Sequence, residues 1–141
     1  MANYENLFQE KKNYTIIKLE RRINMKIKNL KKEIKAKLSP YRYKHSIMVA
    51  EEAKKLAKHY HINPQKAYIT GLLHDIAKEL PEIDNEYWIE KGNLSKNLQK
   101  EEYKNIKHAD IGAIIAREKY HLNNDMCNAI KYHTIGNKNM N

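Results

Sequence analysis

The sequence predicts an all-α domain of five to six helices. Apolar residues recur every three to four positions through most of the chain. Strand-like alternation is scarce. Only four glycines and three prolines occur in 141 residues, and the prolines, Gly92 and Gly136 fall where helices of ordinary length should start or stop.

The first regular stripe is Ile27, Leu30, Ile34 and Leu38, interrupted by Ser39-Pro40. A second runs His45, Val49, Ala53, Leu56 and Tyr60. Asn63-Pro64 supplies an N-cap and a proline at the first helical position. The helix it opens carries Ala67, Thr70, His74, Ala77 and Lys78 on one side, and Leu80-Pro81 stops it. Asp84 opens a short helix through Trp88 and Ile89, which Gly92-Asn93 breaks. Residues 94–107 are polar and read as one short helix and a loop. A further helix runs from about His108 to Tyr120, with Ile111, Ile114 and Ile115 facing inward. Asn123 or Asn124 caps a last helix through His133, Gly136 ends it, and a polar tail closes at Asn141.

Residues 1–24 are basic and irregularly patterned, so they read as a flexible N-terminal extension, with Met25 an alternative start. Residues 25–141 suffice for one domain with one core. A composition of 41% hydrophobic and 31% charged residues is that of an ordinary globular protein. No apolar run is long enough to span a bilayer, and the N-terminus lacks the apolar stretch of a secretory signal. A cytoplasmic protein with no membrane partner is therefore expected. The single cysteine, Cys127, forms no internal disulfide and no cysteine-based metal motif, and reads as a buried structural thiol. The net charge of +10 comes mostly from lysine and is dense before residue 45. Such a surface attracts polyanions generally, although lysine on solvated helix faces accounts for the larger share.

Chemistry concentrates in Gly71-Leu72-Leu73-His74-Asp75-Ile76-Ala77-Lys78. Aspartate is a poor residue inside an apolar helix, and a buried carboxylate needs a counter-charge or a metal. Histidine beside it is a common metal ligand. Gly71, one turn earlier, clears space for another helix or a ligand. Four histidines point inward from four expected helices: His45, His74, His108 and His133. Any one alone would read as a satisfied core residue. Four converging on a buried aspartate suit iron, manganese, zinc or nickel. His59, His61 and His121 lie near helix ends among polar neighbours and read as surface residues.

A histidine followed about thirty residues later by a His-Asp pair resembles the HD phosphohydrolase superfamily. The blocks Leu38-Ser39-Pro40-Tyr41-Arg42-Tyr43-Lys44-His45-Ser46, His74-Asp75-Ile76-Ala77-Lys78, Lys107-His108-Ala109 and Ile130-Lys131-Tyr132-His133-Thr134 are similar, in order and spacing, to the YqeK family. Members are bacterial, symmetrically cleaving diadenosine tetraphosphate hydrolases. The likeness covers about Met25 to Asn141.

The resemblance implies an HD-domain helical bundle. It makes His45, His74 and Asp75 metal ligands, usually for iron, with one or two ions. It places Arg42, Asp75, Ile76, Ala77, Lys78, His108, His133 and Thr134 at the nucleotide phosphates, with Asp75 and Lys78 catalytic. Two of these placements have independent physical support. Arg42 lies one turn before His45, where its guanidinium can meet a phosphate. Lys78 lies one turn after His74 in the expected helix. If neutral, His108 and His133 could instead bind a second metal, as in other HD enzymes. The family's fourth ligand is an aspartate on a helix beyond the His-Thr block, and no acid follows Thr134 here. The C-terminal helix of the family is thus expected to be missing, leaving a patch that favours a homodimer. The expected activity is conversion of diadenosine tetraphosphate to two ADP. The alternatives are an HD phosphohydrolase acting on another nucleotide, or a weakened HD scaffold that binds RNA or nucleotides.

Overall fold

The computed structural model describes residues 3–136; the first two residues and the polar tail, residues 137–141, lie outside it. Its elements are six α-helices: α1 (Tyr4–Lys37), α2 (Pro40–His59), α3 (Pro64–Leu73), α4 (Glu82–Lys91), α5 (Lys107–Glu118) and α6 (Asn124–Lys131). Between α4 and α5, Lys96–Gln99 and Glu101–Tyr103 form 3-10 turns, in place of the one short helix expected there. No strand occurs among the described residues.

The chain divides into two compact units, Met1–Glu33 and Ile34–Asn141. The first consists of the leading part of α1. The segment read as an extension is helical from Tyr4 onward, so one helix runs through Met25 without a break. In the second unit α2 packs on α3, α3 and α5 pack on α6, and α4 packs on α5. Its core is built from Ile34, Leu38, Ala50, Leu72, Leu73, Ile89, Ile111, Ile115, Cys127 and Ile130, each buried. The three isoleucines assigned inward on α5 are all buried. Cys127 is a buried thiol, and burial pushes its pKa up.

Helix ends follow their cap chemistry. Asn63 accepts from the Lys66 amide (3.1 Å) and Asn123 from the Met126 amide (3.0 Å), so α3 and α6 start where asparagine caps placed them. His61 has a φ of 57° and follows α2 in a Schellman-type ending, with Ile62 N donating to Ala57 O (2.9 Å). Gly136 has a φ of 68° after the last turns, a conformation that glycine adopts at no steric cost.

The buried face of α2 is Ser46, Ala50 and Ala57, one position on from the expected stripe. Leu56 and Tyr60 are exposed and, with Ala53, line an open apolar groove bordered by α3 and α6. Small residues form the buried face because α3 approaches closely there. A Cβ on Gly71 would lie 2.7 Å from Ala50 Cα and 2.9 Å from Ala50 N. Gly71 therefore does clear space for a neighbouring helix.

Candidate metal centre

Four segments of the second unit deliver the site. His45 lies on α2, whose start is fixed by Ser39. The Ser39 hydroxyl accepts from the Arg42 amide (3.3 Å) and donates to Glu79 (2.6 Å), while Ser39 N donates to the same carboxylate (2.7 Å). Glu79 thus ties the start of α2 to the segment that follows His74-Asp75. These two bonds hold the Glu79 carboxyl below the usual range. Glu79 was not a candidate in the sequence, because its partner lies 40 positions away.

The α-helical ladder of α3 stops at Leu73. Residues 74–79 continue as tightened turns with i to i−3 bonds: Ile76 N to Leu73 O (3.1 Å) and Lys78 N to Asp75 O (3.0 Å). This corrects the expectation of one helix through Lys78. Asp75 is not mid-helix; it occupies a turn just past a helix end. It is buried nonetheless, at 4% exposure.

Around the Asp75 carboxylate the four inward histidines converge. Oδ2 faces His74 Nε2 (3.3 Å) and His45 Nε2 (3.5 Å), and these two nitrogens are 3.3 Å apart. Oδ1 faces His108 Nε2 and His133 Nε2, both at 3.3 Å, and these are 3.2 Å apart. His108 comes from α5, and His133 from the turns after α6. Arg42 Nη1 donates to Oδ2 (3.2 Å), a direct ion pair with Asp75 that sequence reasoning missed. His59, His61 and His121 are exposed, as expected.

The other sequence candidates lie at the edges. Ile76 and Ala77 are buried among core residues. Lys78 is exposed, and its charge opposes protonation of His133. Thr134 is exposed beside His133.

Burial by itself would raise the Asp75 carboxyl. Hydrogen bonds from His108, His133 and His74 outweigh that and hold it far below the usual range. The same pairing raises His133, against the opposing effect of burial.

The donor set fits a metal on three counts. Histidine nitrogen and carboxylate oxygen are standard ligands of transition ions. Two donors about 2.05 Å from a tetrahedral ion lie about 3.3 Å apart, close to the spacing in both groups. His45, His74 and Asp75 form one such group, and Asp75, His108 and His133 the other. Finally, His74 Nδ1 bonds to Gly71 O (2.7 Å) and His133 Nδ1 to Ile130 O (2.6 Å). A carbonyl can only accept, so each Nδ1 carries a hydrogen; a protonated ring then donates Nε2–H to Asp75, whereas a neutral ring turns its Nε2 lone pair inward. Lone pairs facing one another at these distances need a cation or proton between them.

Comparison with known proteins agrees with this geometry. The HD domain family matches residues 42–140. A symmetrical bis(5'-nucleosyl)-tetraphosphatase of Staphylococcus aureus is 36% identical over 122 residues, covering 82% of this chain and 60% of that protein. The Bacillus subtilis protein of the same name is 31% identical over 108 residues, covering 76% of this chain and 58% of its own. The crystal structure of a predicted HD superfamily hydrolase involved in NAD metabolism, from Clostridium acetobutylicum, superposes with a TM-score of 0.71 at 31% identity. It covers 82% of this chain and 61% of that one. The chain thus spans about three fifths of the length of these relatives. With the family match across most of its second unit and the His-Asp cluster in place, this chain belongs to the HD domain family.

Proposed function

We propose that this chain is a metal-dependent phosphohydrolase of dinucleoside polyphosphates, acting on diadenosine tetraphosphate to give two ADP. One observation carries the reading: a buried aspartate offers each of its two carboxylate oxygens to a separate pair of imidazoles. The names of the two curated relatives support the substrate class.

His45, His74 and Asp75 Oδ2 would hold one ion, and Asp75 Oδ1, His108 and His133 a second. Iron is the proposed metal, with manganese, zinc and nickel suited to the same donors. When bound, such ions act as Lewis acids toward phosphoryl oxygens and activate water for hydrolysis.

The chain's own residues then have defined tasks. Arg42 brings an always-charged fork to Asp75 and so to the cluster, where it can bind the oxygens of a phosphate chain. Lys78 adds a point charge near His133, at the open edge. The carbonyls of Gly71 and Ile130 fix the rings of His74 and His133 and keep their protons at Nδ1. Glu79 and Ser39 hold the first turn of α2, and with it Arg42 and His45, against the His-Asp segment.

The test is elemental analysis of the purified chain beside hydrolysis of diadenosine tetraphosphate, with nucleotide products resolved by chromatography. Near-stoichiometric transition metal and ADP as sole product are expected. Metal without turnover, or ATP and AMP as products, would refute the substrate assignment. Absence of both metal and turnover would refute the reading altogether.

A further inference from the structure

Tyr41 presents an exposed aromatic ring beside the metal centre. It is the second residue of α2, directly before Arg42, and is 74% exposed. The guanidinium carbon of Arg42 lies 5.5 Å from the centroid of its ring, within cation–π range. Arg42 Nη1 in turn donates to Asp75 Oδ2 (3.2 Å), the oxygen that faces His45 and His74. One guanidinium therefore separates the ring from the carboxylate on which the histidines converge. The ion pair with Asp75 fixes that guanidinium, so the ring rests against a held group while most of its surface stays in water.

Neighbouring tyrosines do not combine these properties. Tyr43 is half-buried, with Lys35 over its ring at 5.9 Å. Tyr132 is half-buried, with Lys131 over its ring at 5.2 Å. Tyr60 is 67% exposed but caps the far end of α2, about 28 Å along the helix from Tyr41.

We infer that Tyr41 is the platform on which this site stacks a nucleobase, with Arg42 against one face of the ring and the base on the other. The inference rests on the reading of the site as one for nucleotides, and it names a residue that recognises the part of the substrate that does not react. A nucleotide whose β-phosphate meets Arg42 and the imidazoles carries its base one phosphate and one ribose away. A ring one guanidinium removed from the centre is within that reach. Phosphate contacts alone do not tell a nucleotide from inorganic pyrophosphate. An aromatic face does, because each base has a π-face that stacks on it whatever its hydrogen-bonding edge. The ring is also pre-set by Arg42, so little freedom is left to lose when a base binds.

The experiment is calorimetric titration of the full chain, loaded with manganese and dialysed, with ADP and separately with inorganic pyrophosphate. The parent should bind ADP more tightly than pyrophosphate. Tyr41→Ala should weaken ADP by about 5- to 150-fold, the range for loss of one base–aromatic stack, and leave pyrophosphate unchanged. Tyr41→Phe keeps the ring and should behave like the parent. The position is exposed and alanine suits a helix, so neither variant threatens the fold. With diadenosine tetraphosphate, Tyr41→Ala should raise KM and leave kcat little changed. Unchanged ADP affinity in Tyr41→Ala would overturn the inference. So would equal weakening of ADP and pyrophosphate, which would show that Tyr41 only positions Arg42. A parent that binds both probes equally would overturn the platform and leave the hydrolase reading standing. The expected ADP pattern without turnover of diadenosine tetraphosphate would support the platform and refute the hydrolase reading. A parent that binds neither probe would overturn both.

Discussion

Replacing Gly71 by alanine separates local propensity from tertiary contact. Gly71 lies inside α3, where alanine is favoured over glycine by about 1 kcal/mol. Propensity alone therefore predicts a more stable protein. The structure predicts the reverse. The new Cβ would stand 2.7 Å from Ala50 Cα, 2.9 Å from Ala50 N and 3.2 Å from Val49 C. All three are backbone atoms of α2, so no rotamer change relieves the contact. Restoring ordinary contact requires α2 and α3 to part by about 0.7 Å, and overpacking of this kind costs about 1–3 kcal/mol. Most of that range exceeds the propensity gain, leaving a net loss of up to about 2 kcal/mol and a Tm lower by up to about 8 °C. The separation also moves His45 relative to His74, whose Nδ1 is tied to Gly71 O (2.7 Å). Ligand distances in metal sites tolerate only about 0.2 Å, so metal affinity should fall with stability. Thermal melts followed by circular dichroism, without and with metal, measure both effects. Ala50→Gly should not rescue the variant, because the clash is with the backbone and not the Ala50 methyl. An unchanged or higher Tm with unchanged metal affinity would refute the close-approach reasoning.

Other substitutions probe the caps, the clamp and the centre. Asn63→Ala removes the acceptor for the Lys66 amide and should cost about 1 kcal/mol in urea unfolding; a loss below a few tenths would show that the cap is dispensable. His61→Gly relieves a positive φ and should raise stability by up to about 1 kcal/mol, read from the same titration. Glu79 has a folded pKa below its unfolded one, so its stabilisation is fully present above the unfolded value of about 4.3 and is lost as pH falls through the folded value. The Tm gap between the parent and Glu79→Gln should thus be widest near neutral pH and close below about pH 4; a constant gap would refute the ionic role. Asp75→Asn withdraws the charge shared by all four imidazoles. It should reduce bound metal and turnover by more than the ten- to hundredfold that loss of an outer partner costs.

Several features of this protein were fixed by residues acting over a single helical turn. Spacing of three and four marks the helices, and Asn63-Pro64 and Asn123 start α3 and α6 because an asparagine oxygen needs only the amides of its own first turn. The buried isoleucines of α5 and the inward His108 also follow from position along that helix, whereas His74 and His133 sit in turns just past helix ends. Other features depended on residues far apart in the chain. Periodicity did not show that α3 ends at Leu73, since the turns that follow keep right-handed backbone geometry and differ only in which carbonyl each amide reaches. The inward face of α2 shifted to Ser46 and Ala50 because α3 approaches too closely for larger side chains. Glu79 gained its place from Ser39, 40 positions away, and Arg42 reached Asp75 across 33. The division of labour at Asp75, one oxygen for His45 and His74 and the other for His108 and His133, was decided only by tertiary structure. A residue's sequence neighbours set the helix it joins, but the packing of α2, α3, α5 and α6 sets which lone pair of a carboxylate each imidazole meets.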